Sequence, residues 1–218
     1  MGISVTVTVG RRSQAERRAT TRQSLLDATI SCLTKDGYAR MSTNDVVKLA
    51  GVSRGALVHH YPTKADLAVA ALDSWLDERI IDFEEEFAAL PTNDRRIPAA
   101  IDLMWDLFQG PTFAAWFDLA AASRTDKKLR FKLAGVEKKF YEGVLKAFRR
   151  SFSDDSQIAI DPGLAIRFAL TVLIGAAVGQ MVEPTPPGQI PESITALKLL
   201  SAMPLEVPQT NSTKGVAV

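Results

Sequence analysis

The chain has 218 residues, of which 46% are hydrophobic and 23% charged, an ordinary balance for a globular protein with one large domain or a small domain joined to a larger one. Its single cysteine, Cys32, excludes a disulfide framework or a cysteine-rich zinc site within one chain. The formal net charge of +1 hides an asymmetry: residues 10–64 are net +6 and residues 65–218 net −5. A basic segment on an acidic body points to a head that binds a polyanion.

Residues 1–9 read MGISVTVTV, with no charge before Arg11. A secretory signal needs its basic region first, so this start is read as a disordered leader and the protein as cytoplasmic. The match to a myristoylation pattern at Gly2 and Thr6 is short enough to arise by chance. The most apolar stretch, 168–182, follows Arg167 and is too short for a span, so no membrane partner is expected.

Beyond residue 10 the apolar spacing is helical. The first helix is predicted from about 14 to 35, with Leu25, Leu26, Thr29, Cys32 and Leu33 on one buried stripe and Gly37 as its stop. Ser42 and Asp45 form a capping box for a short helix that ends at Gly51. Ser53 caps another short helix over 54–61, broken by Pro62. Thr63 and Asp66 then open a long helix to about 90. Pro98 stands in the first turn of a helix ending near 109, and Thr112 is expected to cap an aromatic-rich segment through 122. Thr125 or Asp126 opens a helix to about 152. Asp161 with Pro162 starts another through 181, and a last one spans about 191–203. The fold class is therefore all-α, about nine helices. Its expected parts are a leader (1–13), a helix-turn-helix domain (14–64), a second helical domain (65–203) and a disordered tail (204–218).

Residues 42–61 have the layout of a helix-turn-helix: two helices of about eight residues around a tight turn at Gly51, Val52 and Ser53. Val46, Val47, Ala50, Val52 and Leu57 supply its small core. In such a motif the second helix enters the major groove by its N-terminal end, here Ser53, Arg54, Gly55 and Ala56. Arginine reads guanine through a bidentate contact, and Gly and Ala permit close approach. Backbone N–H groups at Ser42, Thr43, Thr63 and Lys64 are expected to be free for phosphates.

The run from Leu25-Leu26-Asp27-Ala28 through Gly37-Tyr38, Ser42, Asp45-Val46, Ala50 to Leu57, His60-Tyr61 and Lys64 to Leu67 resembles the tetracycline-repressor (TetR) family of bacterial transcriptional regulators. The resemblance implies a homodimer with an N-terminal DNA-binding domain, and a C-terminal helical bundle that binds a small effector and dimerises through its last two long helices. Carried over position by position, it implies backbone contacts from Ser42 and Thr43, base reading by Ser53, Arg54, Gly55 and Ala56, and phosphate contacts from His60 and Lys64. Val58 stands where the family has a phosphate-binding tyrosine, a contact that is lost or taken over by His59. Met41 replaces a small or hydroxylated residue and can pack beneath Tyr38.

Other chemistry finds little support. His59 and His60 are adjacent and point about 100° apart on a helix, a poor arrangement for one metal. No catalytic residues are assigned: no histidine lies outside the motif for a triad, and no glycine-rich phosphate cradle is present. The expectation is a non-enzyme without metal or cofactor. The acidic run at 82–86 reads as a solvated helix face, and Arg11, Arg12, Arg17, Arg18 and Arg22 either as an arm that follows the minor groove or phosphates or as a solvated tail.

In the second domain, Trp105, Phe108, Phe113, Trp116, Phe117, Phe140 and Phe168 suggest an apolar cavity for a hydrophobic or aromatic effector, although aromatics at helical spacing are more often plain core. Asp102, Asp106, Asp118, Arg124 and Arg167 are candidate polar anchors. Val172, Gly175, Ala176 and Gly179, with Leu197 and Leu200, fit a four-helix dimer interface, or tight packing within one chain. The reading is a homodimeric regulator, by family default a repressor released from a pseudo-palindromic double-stranded operator by a small effector. The alternative is a DNA-binding adaptor without a pocket, controlled by a protein partner.

Overall fold

The computed structural model describes residues 13–90, 96–151, 161–186 and 188–203. Among them there are nine helices and no strand: α1 (Gln14–Arg40), α2 (Thr43–Ala50), α3 (Arg54–His60), α4 (Lys64–Ala88), α5 (Arg96–Phe108), α6 (Pro111–Ser123), α7 (Lys127–Ser151), α8 (Pro162–Val182) and α9 (Glu192–Ser201). The all-α expectation holds. The expected leader before Ser13, Arg11 and Arg12 of the basic arm, and the tail beyond Met203 lie outside the described residues.

Capping chemistry sets most of the helix starts. Ser13 and Glu16 make a reciprocal box at α1, Ser42 accepts from the Asp45 N–H at α2, and Ser53 accepts from the Ala56 N–H at α3. Thr63 and Asp66 exchange backbone-to-side-chain bonds of 3.1 Å in each direction at α4. Asp126 receives the Lys128 and Leu129 N–H groups at α7, and Asp161 receives that of Leu164 ahead of Pro162 at α8. Each bond satisfies a donor that the first helical turn leaves unpaired. One expected start is corrected. Thr112 does not cap α6, which begins with Pro111 directly after Gly110 (φ +102°), because proline's fixed φ suits the first helical position.

The contacts divide the chain into two compact units, Met1–Leu76 with Ala114–Val136, and Asp77–Phe113 with Glu137–Val218. The first has a core built around Leu25, Leu33, Val46, Leu67, Leu72 and Leu119. The predicted α1 stripe is buried as drawn, and the one polar member, Thr29, returns its hydroxyl to the Leu25 carbonyl at 2.6 Å. Met41 is buried, with Tyr38 packed against the same cluster. Gly37 interrupts α1 at φ 73°, ψ 164°, and one more turn follows it to Arg40. Asp118 of α6 accepts the Tyr38 N–H at 3.1 Å across this bend. Burial first, then Asp36 and Asp45, push the Cys32 thiol up and away from thiolate chemistry.

In the second unit α5, α8 and α9 pack on one another, burying Ile101, Met104, Leu173, Ala177, Ile194 and Leu197. Lys198 of α9 closes a bidentate contact of 2.7 and 2.8 Å on Asp102 of α5. Within the acidic run, Asp82 pairs with Arg79, and Glu84 with Lys146 and Arg150 of α7. The apolar stretch judged too short for a membrane lies within α8, the helix expected from Pro162 and observed to Val182. By length and composition α8 could cross a bilayer, with a mean hydropathy of 1.8, yet only 17% of that window is buried within the chain.

Candidate nucleic-acid interface

The geometry of residues 42–66 follows from a few local rules. Gly51 ends α2 in the left-handed region (φ 66°, ψ 30°), and its N–H returns to the Val47 carbonyl. That conformation is favourable for glycine. Val52, whose N–H also returns to the Val47 carbonyl at 3.3 Å, then leads to the extended cap Ser53 (φ −78°, ψ 152°) and α3. Val46, Leu57 and Tyr61 are buried beneath the turn, with Val47, Ala50 and Val52 packed around them, which fixes the angle between α2 and α3.

The face of α3 left outside carries Arg54, Gly55, Val58 and His59, all exposed. A Cβ on Gly55 would meet only Ser53 Oγ, at 3.9 Å. No packing inside the protein therefore demands glycine there. Arg54 is held rather than loose: Nη1 donates to Asn44 Oδ1 of α2 at 3.4 Å. Arg18 Nη2 lies 3.0 Å from His59 Nε2, and Arg22 Nε donates to the Tyr61 hydroxyl at 3.3 Å. Burial, then His59, Arg18 and Arg22, lower the pKa of His60. Lys64 Nζ donates to the Ala39 carbonyl at 3.1 Å and sits over the Tyr38 ring, and burial lowers its pKa.

Of the N–H groups expected to be free for phosphates, Thr63 is corrected, since it donates to Asp66 at 3.1 Å. Completing the capping box consumes that donor. Ser42 and Thr43 stand at the start of α2, half-buried. Sequence reasoning missed the role of Asn44. Its one signal was a polar side chain in the first turn of α2, and no spacing rule links it to Arg54.

These observations put an arginine, a bare glycine and His59 on the outer face of a two-helix motif, with Ala56 and His60 half-buried at its edges and Arg18 of α1 beside His59. That is a surface for a polyanion with edges to read. Residues 25–71 match the family model described as bacterial regulatory proteins, tetR family. An uncharacterized HTH-type transcriptional regulator of Mycobacterium tuberculosis is 32% identical over 180 residues, covering 80% of this chain and 90% of that one. The chain belongs to the tetR family. It is accordingly a DNA-binding transcriptional regulator of the helix-turn-helix type. Solved tetR-family folds agree. A regulator from Cytophaga hutchinsonii has a TM-score of 0.64 at 15% identity, covering 88% of this chain and 97% of that one. FadR from Bacillus subtilis, solved in complex with stearoyl-CoA, has a TM-score of 0.61 at 15% identity, covering 83% and 95%.

The other candidate residues of this tetR-family protein fall into separate places. Trp105, Phe108, Phe113 and Phe140 belong to the second unit, where the Phe108 ring lies 5.5 Å from Phe113 and 6.4 Å from Phe140, edge to face. Trp116, Phe117, Asp118 and Arg124 belong to the first unit. There Trp116 packs on the core, Asp118 holds the α1 bend, and Arg124 is exposed in the turn after α6. Phe168 is 54% exposed on α8. Arg167 lies over the Tyr141 ring at 4.1 Å, and Asp106 receives Gln109. Of the dimer candidates, Gly175 and Gly179 are exposed, Val172 and Ala176 half-buried, Leu197 buried and Leu200 51% exposed. Among the described residues no group of three or more His, Cys, Asp or Glu comes together that could hold a metal.

Proposed function

We propose that the chain works as a homodimeric repressor that a small hydrophobic or aromatic effector releases from a pseudo-palindromic operator. The observation that carries the dimer is the open apolar face of the last two helices. Leu164, Phe168, Val182, Leu199, Leu200 and Met203 are all more than half exposed, and a Cβ on Gly175 or Gly179 would meet nothing within 4 Å. A helix as apolar as α8 gains from covering that face, and small residues at its middle let a second copy's helices approach closely in a four-helix arrangement. Two copies of α3, with Arg54 and Gly55 leading, then enter successive major grooves about 34–36 Å apart.

The effector reading rests on Trp105, Phe108, Phe113 and Phe140, an aromatic group inside one unit. It gains support from a neighbour in fold whose solved complex contains an acyl-CoA. Asp118, which belongs to the other unit, is a weaker anchor in this reading than Asp102 and Arg167, which share the unit of the aromatic group. Helix α4 runs from Lys64 to Ala88, with its residues to Leu76 in the first unit and those from Asp77 in the second. The effector needs only a different affinity for the two dimer geometries to switch the protein.

Genomic fragments retained by the pure protein supply the operator. Sedimentation velocity and a mobility-shift titration on that fragment then test the reading. It expects two chains in solution and two per half-site pair, with release on adding an effector found by thermal-shift screening. A monomer that binds the operator as one chain would overturn the dimer. A protein whose operator is released only by a second protein would favour the adaptor alternative.

A further inference from the structure

We propose a second contact between copies of this chain, separate from the pairing through α8 and α9. In it the basic start of α7, centred on Phe131, seats the acidic end of α4, centred on Ile81, of another copy. The contact does not depend on the reading of α3 and uses residues to which no DNA contact is assigned.

The basic patch lies in the first unit. Phe131 is 83% exposed. Helical period sets it opposite the buried Leu129, Leu133 and Val136. Lys127 and Lys128 stand one turn before the ring, Arg130 beside it, and Gly135 one turn after, all exposed. A Cβ on Gly135 would meet nothing within 4 Å, so the turn beyond the ring is an open floor. Lys127, Lys128 and Arg130 enter no ion pair among the described residues, whereas the next cation, Lys132, pairs with Asp66. Their placing also works against α7 itself. The first turn of a helix favours acids, and this one holds none. Asp126, just ahead of it, is taken up in capping. The helix therefore gains nothing from these cations.

The end of α4, in the second unit, carries the opposite pattern. Ile81 is 58% exposed, with Glu78 three residues before it and Glu85 four after, on the same face. Both acids are exposed and without an ion pair among the described residues, whereas Asp82 and Glu84 are paired. The last turn holds no base, although the dipole favours one there. One patch thus offers an aromatic ring among unpaired cations at the positive end of a helix. The other offers an aliphatic side chain among unpaired carboxylates towards the negative end of a helix. Charge, dipole and apolar centre all match between one copy and the next. Because the two patches differ, the contact is heterologous and links a copy to a further one. A nucleic acid suits the basic patch less. Duplex bases are stacked on one another and offer a ring no face, which only a single strand does.

Sedimentation velocity of the whole chain at rising concentration compares about 50 mM with about 500 mM NaCl, since salt screens exposed charges. Species larger than the one at high salt are expected at low salt, growing with concentration. Lys127→Glu with Lys128→Glu, and separately Glu78→Lys with Glu85→Lys, should each lose them. All four side chains are exposed, and the changes at 127, 128 and 85 suit the helix dipoles, so the fold is kept. An equimolar mixture of the two variants should regain the larger species, because each retains the patch that the other lacks. Phe131→Ala leaves every charge in place and should weaken the association about tenfold, which separates a docked contact from general attraction between oppositely charged chains. Wild type without larger species at low salt overturns the proposal. So does a mixture that stays unassociated, or a Phe131→Ala chain that associates as wild type does. Binding of labelled oligothymidylate that Phe131→Ala abolishes would give the patch to a single strand and overturn the contact too. The pairing through α8 and α9 is read at high salt, where a monomer would sink that dimer and leave this contact standing.

Discussion

Replacing Gly37 by alanine is expected to destabilise the protein through two linked effects. The residue sits at φ 73°, ψ 164°, a conformation open essentially to glycine, and forcing a side chain into it costs about 1–3 kcal/mol. The new Cβ would also lie 2.5 Å from Asp118 Oδ2, the group whose carboxylate receives the Tyr38 N–H. Asp118 must swing away, and the loss of that exposed bond adds about 1 kcal/mol. The expected total is about 2–4 kcal/mol, a fall in Tm of roughly 5–15 °C for a chain of this size. Urea denaturation of Gly37→Ala, Asp118→Ala and the double variant checks the reasoning. Because the first change already breaks the bond, the double variant should be more stable than additivity predicts by about 1 kcal/mol. Strict additivity, or an unchanged Gly37→Ala midpoint, would refute the latch. An Asp118→Ala variant of normal stability that no longer answers an effector would return Asp118 to the pocket.

Arg54→Ala is expected to cost about 1–3 kcal/mol on the selected operator and to relax sequence preference, read by competition against variant duplexes. Asn44→Ala, which frees the same guanidinium, should weaken preference less. Lys64→Ala should weaken specific and random duplexes equally and leave preference intact, unless its contact with the Ala39 carbonyl matters more to the fold than to DNA, in which case Tm falls and affinity does not. Gly179→Leu replaces a helix-weakening glycine with a good helix former, at a position where an added Cβ would meet nothing within 4 Å. The chain should fold normally and yet sediment as a monomer, while a variant that stays dimeric would place the interface elsewhere.

The parts of this structure legible in the sequence are those governed by neighbours a few residues apart. Ser42, Ser53, Thr63 and Asp161 cap helices because the bond each makes spans three residues, and the α1 stripe follows from helical period alone. Gly37 was legible as a stop. Its latch was not, since Asp118 is 80 residues away. The same distance problem hid the Arg18–His59 contact, 41 residues apart, and the division of the aromatic residues. Trp116 and Phe117 look in sequence like companions of Phe113, yet the chain returns to the first unit between Phe113 and Ala114. Periodicity cannot reveal where a chain crosses between cores. The helix α8 was legible at both ends, expected from Pro162 through 181 and observed to Val182; only its apolar run was cut at Arg167, a residue the helix passes through with its guanidinium over Tyr141.

Whether paired α3 helices read DNA at a fixed separation is tested most directly by footprinting the selected operator while measuring stoichiometry on the same fragment. Two chains protecting two inverted half-sites, with centres one helical turn or a whole multiple apart, is the predicted result. One chain protecting one continuous site, or protection indifferent to inserting half a turn between the halves, would contradict it.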